Sequence, residues 1–184
     1  MTPWSPFPEL ETPRLRLRAL APTDARELFR VFSDPRVMTY WSGPPYRALE
    51  EAERLVVRVS EALAAGRGIE WAITERDGGR LVGKCGFHRW EQAHRRAEIG
   101  YALASAHWNR GLATEALGAM LSWGIAALDL HTVEAQVDPR NEPSIRLLDR
   151  LGFAREGLLK ESFLYEGEFC DTAIYSLLTR DRPG

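Results

Sequence analysis

The stretch of this sequence best suited to chemistry runs from Trp108 to Ala116 and reads Trp-Asn-Arg-Gly-Leu-Ala-Thr-Glu-Ala. It predicts a turn between a strand and a helix, where the first backbone amides of the helix have no partner within it. Such amides, together with the positive end of the helix dipole, attract a phosphate or pyrophosphate. Gly111 and Ala113 keep the turn free of bulky side chains, so an anion can approach the backbone closely. These residues predict a site for a phosphate-bearing ligand.

Two common nucleotide-binding patterns fit this turn poorly. A P-loop requires Gly-x-x-x-x-Gly-Lys-Ser/Thr, and no lysine follows Gly111 at the required place. A dinucleotide-binding turn requires Gly-x-Gly-x-x-Gly after a strand, and the third glycine is absent. No carboxylate pattern for a metal accompanies the turn, so we expect no metal site and disfavour phosphoryl transfer.

The elements around this turn follow from the apolar pattern. Residues 97–103 predict the strand that leads into it, and the helix after Gly111 is apolar on most sides, which predicts burial against a sheet. Residues 131–137 predict a further strand and residues 142–151 a short helix that Asn141 caps, with Pro143 in its first turn.

The rest of the chain predicts the remainder of one α/β (α+β) domain over residues 14–181. Periodicity and turn residues predict a strand at 14–18, a helix from 22 that Asp34-Pro35 stops, a helix over 47–65, strands at 70–74 and 80–87 around a hairpin turn at 77–79, and two final strands around Glu166-Gly167. The proline-rich residues 1–13 predict a loose arm on the surface.

Composition restricts the class of protein. Lys and Arg number 24 against 26 Asp and Glu, a net charge of −2, which does not favour a nucleic-acid partner or an anionic membrane. Cys85 and Cys170 lie far apart without metal-ligand spacing, and no apolar run is long enough to span a bilayer. The first residues lack the pattern of a signal peptide, so we expect a cytoplasmic protein.

Taken together, these segments resemble the GCN5-related N-acetyltransferase (GNAT) superfamily, and within it the ribosomal-protein alanine acetyltransferase (RimJ/RimL-like) branch. The superfamily's acetyl-CoA signature, Gln/Arg-x-x-Gly-x-Gly/Ala, is matched at Gly111 and Ala113, with Trp108 at the first position as in that branch. Further matching segments occur in the same order along nearly the whole chain. They are Thr12 to Arg18, Asp34-Pro35-x-Val37, Glu98 to Leu103, Asn141-x-x-Ser144, Leu151-Gly152-Phe153, and Asp171 through Tyr175-Ser176-Leu177.

The resemblance implies a mixed, mostly antiparallel sheet of about seven strands with about four flanking helices, whose fourth and fifth strands separate at a bulge. The pantetheine arm of acetyl-CoA would lie in that gap and the pyrophosphate on the turn. The implied cofactor-binding residues are Tyr101, Ala102, Leu103, Trp108, Asn109, Arg110, Gly111, Leu112, Ala113, Thr114 and Asn141. For Arg110, a solvated charge at the helix start is the alternative to a phosphate contact.

Acetyl transfer requires a base for the amine and a proton donor for the departing sulfur. Glu98 is the first candidate for the base, directly or through a water, since it lies on the strand leading to the cofactor; the alternative is a carboxylate merely paired with Arg95 or Arg96. Glu161, His88 and His94 are further candidates.

Ser144 is the proton donor that the resemblance to this branch implies. Many superfamily members carry a tyrosine four residues before the Gly-Phe pair, and this chain has Leu148 there. The alternative for Ser144 is an ordinary residue of a helical first turn. We expect direct transfer rather than an acetyl-cysteine intermediate, because buried cysteines in strands are usually inert.

The acceptor amine is the least determined part of the prediction. Five aromatic residues could line its pocket, although core packing explains at least two of them equally well: Tyr40, Trp41, Trp71, Phe87 and Trp90. Asp34 or Glu70 could attract a cationic amine. A protein N-terminus and a small primary amine both fit, as does a homodimer, and the alternative function is a non-catalytic acyl-CoA-binding module of the same fold.

Overall fold

Eight strands and five α-helices make up the computed structural model, which describes residues 4–77 and 79–181. The strands are β1 (Leu10–Glu11), β2 (Leu15–Ala19), β3 (Ile69–Glu75), β4 (Leu81–Glu91), β5 (Arg96–Leu103), β6 (Thr132–Val137), β7 (Ala154–Tyr165) and β8 (Glu168–Leu178). The helices are α1 (Ala25–Phe32), α2 (Pro35–Met38), α3 (Leu49–Ala64), α4 (Leu112–Ala127) and α5 (Glu142–Arg150).

All eight strands belong to one sheet in the order β1-β2-β3-β4-β5-β6-β8-β7. Neighbouring strands run antiparallel except β5 and β6, which are parallel. A parallel pair needs a long crossover, and α4 supplies it between these two strands. The sheet is therefore mixed and mostly antiparallel, as predicted, with one strand more than expected because of β1.

The two faces of the sheet carry separate apolar cores. Because successive side chains of a strand point to opposite faces, β5 sends Ile99 to one core and Ala102 to the other. The larger core contains the apolar side chains of α4 together with Trp71 and Phe87 of the sheet. The smaller one is formed by α1, α2 and α3. We call these the α4 face and the α1–α3 face.

The predicted elements are confirmed with small shifts at their ends, and two local expectations differ. Asp34-Pro35 was expected only to end the first helix, but it also begins the next one. Asp34 caps α2, and its side chain accepts from the backbone N–H of Arg36. Residues 4–13 are attached to the fold at several points, since the Trp4 side chain is buried and β1 pairs with β2. Part of the predicted hairpin turn, Gly78, lies outside the described residues. No helix in the described ranges has the length and apolar character to cross a membrane.

Candidate active site

A gap opens between β5 and β6 directly after Glu98. The two strands pair only from Arg96 to Glu98, which lies beside Glu134 of β6. Beyond that point β5 stays paired with β4 as far as Leu103, and β6 stays paired with β8 as far as Val137. β5 and β6 are the fourth and fifth of the strands predicted from the sequence, so the predicted separation of that pair is confirmed.

The expected bulge lies on a different strand. Pairing of β5 with β4 continues without a shift from Glu98 to Leu103, whereas the register changes in β4 between His88 and Glu91. There Arg89 has a φ of 47°, the left-handed conformation typical of an extra residue in a strand. The gap therefore forms because β6 leaves β5, not because β5 is irregular.

Only alternate residues of β5 direct their backbone groups into the gap. The N–H of Ala104 donates to the carbonyl of Val82 in β4. Because every second residue of an antiparallel strand bonds to the same neighbour, the even-numbered residues of β5 bond to β4. Tyr101 therefore directs its N–H and C=O toward β6, and so does Ile99, which the sequence reasoning did not name. Ala102 pairs with Lys84 of β4, so its own N–H and C=O are directed away from the gap.

Trp108, the first residue of the acetyl-CoA signature, binds the backbone carbonyl at the end of β5. The indole Nε1 of Trp108 donates to the carbonyl oxygen of Leu103 at 2.8 Å. Leu103 thus directs its N–H toward the gap, while its carbonyl oxygen already accepts one hydrogen bond from Trp108. Trp108 joins the end of β5 to the turn before α4.

The predicted anion turn lies on the surface at the start of α4. Asn109 and Gly111 have φ values of 59° and 74°, both left-handed, and Gly111 is the N-cap residue. This geometry leaves the amides of Leu112, Ala113 and Thr114 without partners one turn back in the helix. Arg110 is exposed beside them. The turn has the form of an anion site, and its glycine is required by the positive φ.

Arg14, near the start of the sequence, holds this turn in place. That role was not predicted from the sequence. Its Nη1 donates to the carbonyl of Arg110 at 2.8 Å, and its Nε donates to Oε2 of Glu115 at 2.6 Å. The hydroxyl of Thr12 donates to Oε1 of Glu115 at 2.6 Å. Burial opposes ionisation of Glu115, but the hydrogen bonds from Thr12 and Arg14 outweigh it and lower the pKa of Glu115.

Glu98 lies on the α1–α3 face, at the point where β5 and β6 separate. Its ion-pair partner is neither Arg95 nor Arg96, the two considered from the sequence. Its Oε2 accepts from Nη1 of Arg89 at 2.9 Å and from Nε2 of Gln136 at 3.5 Å. Arg95 pairs with Asp129 and Arg96 with Glu134 instead. The side chain of Glu98 is 22% exposed. In the described part of the chain both hydrogen bonds fall on Oε2, which leaves Oε1 for an amine or a water.

His88 is the neighbour of Glu98 on the same face. It lies opposite Glu98 in the ladder, and its Nδ1 is 3.5 Å from Oε1 of Glu70, which also pairs with the buried Lys84. A Cβ on Gly100 would come within 3.0 Å of the imidazole Nε2, so the ring lies over that glycine. Burial lowers the pKa of His88 and outweighs the attraction of Glu70. A neutral imidazole beside the gap keeps His88 as the alternative base.

The other candidate bases lie elsewhere. His94 is exposed in the short 3₁₀ turn Gln92–His94 before β5, at the end where β5 and β6 remain paired. Glu161 is exposed on β7, where the register with β8 shifts between Leu159 and Phe163. Neither residue lies beside the cross-strand pair that Glu98 of β5 forms with His88 of β4.

Ser144 reaches the gap from the first turn of α5. Its backbone N–H donates to Oδ1 of Asn141 at 3.2 Å, so Asn141 is the predicted N-cap. Its hydroxyl forms a 2.6 Å hydrogen bond with the phenol of Tyr101. Burial raises the pKa of Tyr101 to about 12, although the bond to Ser144 partly opposes this. The side chain of Tyr101 was not expected to take part, because only its backbone was considered.

Most of the predicted aromatic pocket is core. Trp71 and Phe87 are fully buried on the α4 face, away from the face of Glu98, because residues two apart in a strand share a face. Trp90 packs against Trp4, with ring centroids 5.3 Å apart. Trp41 packs edge-on against Phe32 in the smaller core, and Tyr40 is exposed. Of the two alternatives for Trp71 and Phe87, core packing is therefore the one that the structure has.

The cysteines do not form a nucleophilic centre. Cys85 and Cys170 are buried and unpaired, and burial strongly raises the pKa of the Cys85 thiol. A thiol held in its protonated form is a poor nucleophile. Among residues 4–77 and 79–181, no group of three or more His, Cys, Asp or Glu side chains could hold a metal ion.

The chain is similar to known acetyltransferases over most of its length. Residues 14–154 match the family described as "Acetyltransferase (GNAT) domain". A relative from Bacillus subtilis (strain 168), named as the uncharacterized N-acetyltransferase YoaA, is 39% identical over 172 residues, which cover 94% of this chain and 97% of the relative.

Solved structures agree with this match. Mycobacterium smegmatis RimJ in complex with CoA-disulfide superposes with a TM-score of 0.84 at 26% identity, covering 96% of this chain and 88% of that one. Spermidine N-acetyltransferase from Vibrio cholerae, in complex with CoA and spermine, gives 0.80 at 25% identity, covering 92% and 98%. With a mixed sheet that opens between its parallel strands and a helix start that can bind an anion, this chain belongs to the GNAT family and is an N-acetyltransferase.

Proposed function

We propose that this chain transfers the acetyl group of acetyl-CoA directly to a primary amine. The observation that carries the proposal is the continuity of the gap with the anion turn, because Trp108 joins the last residue of β5 to the start of α4. A ligand with a pyrophosphate at one end and an extended amide-containing arm fits this path. The complexes of relatives with CoA support the same donor.

The donor is held mainly by backbone groups. The amides of residues 109–114 receive the pyrophosphate, and the exposed guanidinium of Arg110 provides a second contact. The pantetheine arm pairs with the groups that Ile99 and Tyr101 direct into the gap, and Asn141 borders its other side. Because these contacts come from the backbone, Gly111 is the residue at which a side chain most directly disrupts binding.

Catalysis divides between the two faces of the sheet. On the α1–α3 face Glu98 takes a proton from the incoming ammonium, directly or through a water. The free amine then attacks the thioester carbonyl and its nitrogen releases a second proton to solvent. The carbon–sulfur bond breaks, and its electron pair leaves with the sulfur. On the other face Ser144, for which the resemblance implies the role of proton donor, gives that sulfur a hydrogen bond, while the proton itself comes from solvent. A thiol has an ordinary pKa of about 8.5, so its release near neutral pH needs only modest help.

The acceptor is a protein N-terminus or a small amine. The spermidine N-acetyltransferase among the similar structures supports the small amine. The resemblance to the ribosomal-protein alanine acetyltransferase branch supports the protein N-terminus. The carboxylate of Glu98 on the α1–α3 face favours a cationic amine of either class, whereas the charge of Glu70 is balanced by Lys84. Cytoplasmic localisation and a homodimer stay predictions.

The test is CoA release measured with a thiol-reactive dye, using spermidine and short peptides with free N-termini as acceptors. We expect release that depends on the amine and a product whose mass has increased by one acetyl group. Acetyl-CoA binding without release for any acceptor would instead support the non-catalytic acyl-CoA-binding module. The same reaction without amine is the control for hydrolysis of the thioester.

A further inference from the structure

The gap between β5 and β6 is bridged by one pair of hydroxyl groups. The Tyr101 phenol extends from β5 and the Ser144 hydroxyl from α5, the helix that follows β6, and their oxygens are 2.6 Å apart. The two strands have already stopped pairing at Glu98 and Glu134, three residues before Tyr101. This hydrogen bond therefore joins the two sides of the path proposed for pantetheine.

We propose that Tyr101 is a positioning residue, which holds the Ser144 hydroxyl so that its hydrogen points at the sulfur of the departing CoA. The inference rests on the proposed function, since it assigns a partner to the hydroxyl that faces the leaving group. Two contacts then fix Ser144: its backbone N–H is bonded to Asn141 and its side chain to Tyr101. A serine hydroxyl that lacked the second contact would rotate among several directions.

The direction of the hydrogen bond follows from the chemistry. A serine hydroxyl has one hydrogen, so Ser144 can donate to sulfur only if its oxygen accepts from the Tyr101 phenol. A hydroxyl that accepts one hydrogen bond becomes a stronger donor of the next. Because the pKa of Tyr101 is raised to about 12, the phenol keeps its hydrogen at any ordinary assay pH.

The neighbouring residue of α5 offers no substitute. Leu148, one helical turn after Ser144, is fully buried in the larger core and has no polar group. Leu148 therefore cannot replace Ser144, and the proposed path of hydroxyl groups to the sulfur runs from Tyr101 through Ser144. As the carbon–sulfur bond breaks, the sulfur carries the electron pair and accepts the Ser144 hydrogen bond. The thiolate takes its proton from solvent on release, and both hydroxyls stay protonated.

A double-mutant cycle tests the proposal. Ser144→Ala is expected to lower kcat by about three- to tenfold, the worth of one hydrogen bond, and Tyr101→Phe by a similar factor, with KM for acetyl-CoA unchanged. The double variant should be no slower than Ser144→Ala alone, since Tyr101 acts through the serine. Tyr165→Phe, which removes the hydroxyl of a tyrosine at the β7–β8 hairpin, is the matched control and should leave kcat unchanged.

Three outcomes of the cycle would overturn the proposal. A kcat for Tyr101→Phe within about twofold of wild type would show that the phenol does not matter. Losses that multiply in the double variant would show independent roles. A double variant equal to Tyr101→Phe but far slower than Ser144→Ala would place Tyr101 on the sulfur itself. An inactive wild-type enzyme would instead count against the proposed function.

A binding measurement separates positioning from a general structural effect. We expect Tyr101→Phe to weaken calorimetric binding of CoA by about three- to tenfold and to leave binding of desulfo-CoA, which lacks the sulfur, unchanged. Equal weakening of both ligands would mean that the variant alters the gap as a whole, and the proposal would be wrong.

Discussion

Glu98 and Ser144 lie on opposite faces of the sheet, and the proposed mechanism gives each of them a separate part of the reaction. The side chain of Glu98 points to the α1–α3 face, while Ser144 meets Tyr101, whose ring packs against the larger core. In that mechanism the amine arrives beside Glu98 and the sulfur departs toward Ser144, on either side of a thioester in the gap. The proposed mechanism routes no step through a metal or a nucleophilic side chain.

Sequence reasoning could name these residues but not their partners. Arg89 reaches Glu98 because it occupies a left-handed position at the bulge of β4, and nothing in the local sequence marks that conformation. The Tyr101–Ser144 bond joins residues 43 positions apart, and it forms only because β6 and α5 return beside β5. Contacts of this kind depend on the assembled sheet.

Glu98→Gln tests the assigned base. The amide keeps an oxygen that can accept from Arg89 but cannot take a proton, so kcat should fall by about a hundredfold or more with little change in KM for acetyl-CoA. The measurement is steady-state CoA release, with Glu53→Gln on the exposed side of α3 as the charge-matched control. If Glu98→Gln retains activity and His88→Gln loses it, the base is the imidazole.

At the scale of elements, the order and type of the helices and strands could be predicted from hydrophobic periodicity and turn residues. The predicted helix after Gly111 is α4, from Leu112 to Ala127, and the predicted strand 97–103 is β5, from Arg96 to Leu103. Which strands pair with each other could be predicted only from the resemblance to the GNAT superfamily. Local patterns do not reveal β1, because a strand of two residues has no period.

Two glycines of α4 should respond in opposite ways to alanine. A Cβ on Gly124 would lie 2.4 Å from Cζ of the buried Phe87, whereas nothing lies within 4 Å of one on Gly118. Gly118→Ala should stabilise the protein by about 0.5–1 kcal/mol, the difference in helix propensity. Gly124→Ala should lower the free energy of unfolding by about 1–2 kcal/mol despite the same propensity gain. Urea unfolding measures both, and equal effects would contradict this packing.

Asp34 predicts a pH dependence at the start of α2. Hydrogen bonds from Arg36, and a further one from Ser105, lower its pKa from 3.8 to about 2. Because the unfolded chain takes up this proton first, the stability that the charge contributes is present above pH 4 and is lost as the pH falls toward 2. Asparagine can still cap the helix, so Asp34→Asn isolates the charge.

The measurement for Asp34 is the difference in the free energy of unfolding between wild type and Asp34→Asn across that range. We expect wild type to be more stable at neutral pH and the difference to shrink as the pH falls toward 2. A difference that does not change with pH would show that the charge of Asp34 is not stabilised by Arg36 and Ser105.

At the scale of the whole molecule, the segment before β2 connects distant parts of the fold. Trp4 is 3% exposed and donates from its indole to the carbonyl of Leu63 at the end of α3. The indole of Trp71 donates to the carbonyl of Pro8, and Thr12 and Arg14 hold Glu115 at the anion turn. The prolines of this segment suggested a loose arm, because a chain without periodicity gives no sign of the surface that will receive it.

Trp4→Ala should therefore destabilise the whole domain rather than release a tail. Removal of a buried aromatic side chain costs about 3 kcal/mol or more, measured as the free energy of unfolding in urea. Phe169→Ala, which alters a phenylalanine 66% exposed on β8, is the control and should change stability by less than about 0.5 kcal/mol. A stability for Trp4→Ala close to that of wild type would show that the segment does not belong to the fold.

The measurement that tests the central claim most directly is calorimetric titration of the purified protein with acetyl-CoA, repeated on Gly111→Glu. The wild type should bind one acetyl-CoA per chain with micromolar affinity. The variant should lose this binding, because a carboxylate at the turn repels the pyrophosphate and a side chain at a φ of 74° is strained. A thermal unfolding curve of the variant shows whether it remains folded. If the wild type does not bind acetyl-CoA, then the gap and the turn do not form a donor site and the proposed acetyl transfer is wrong.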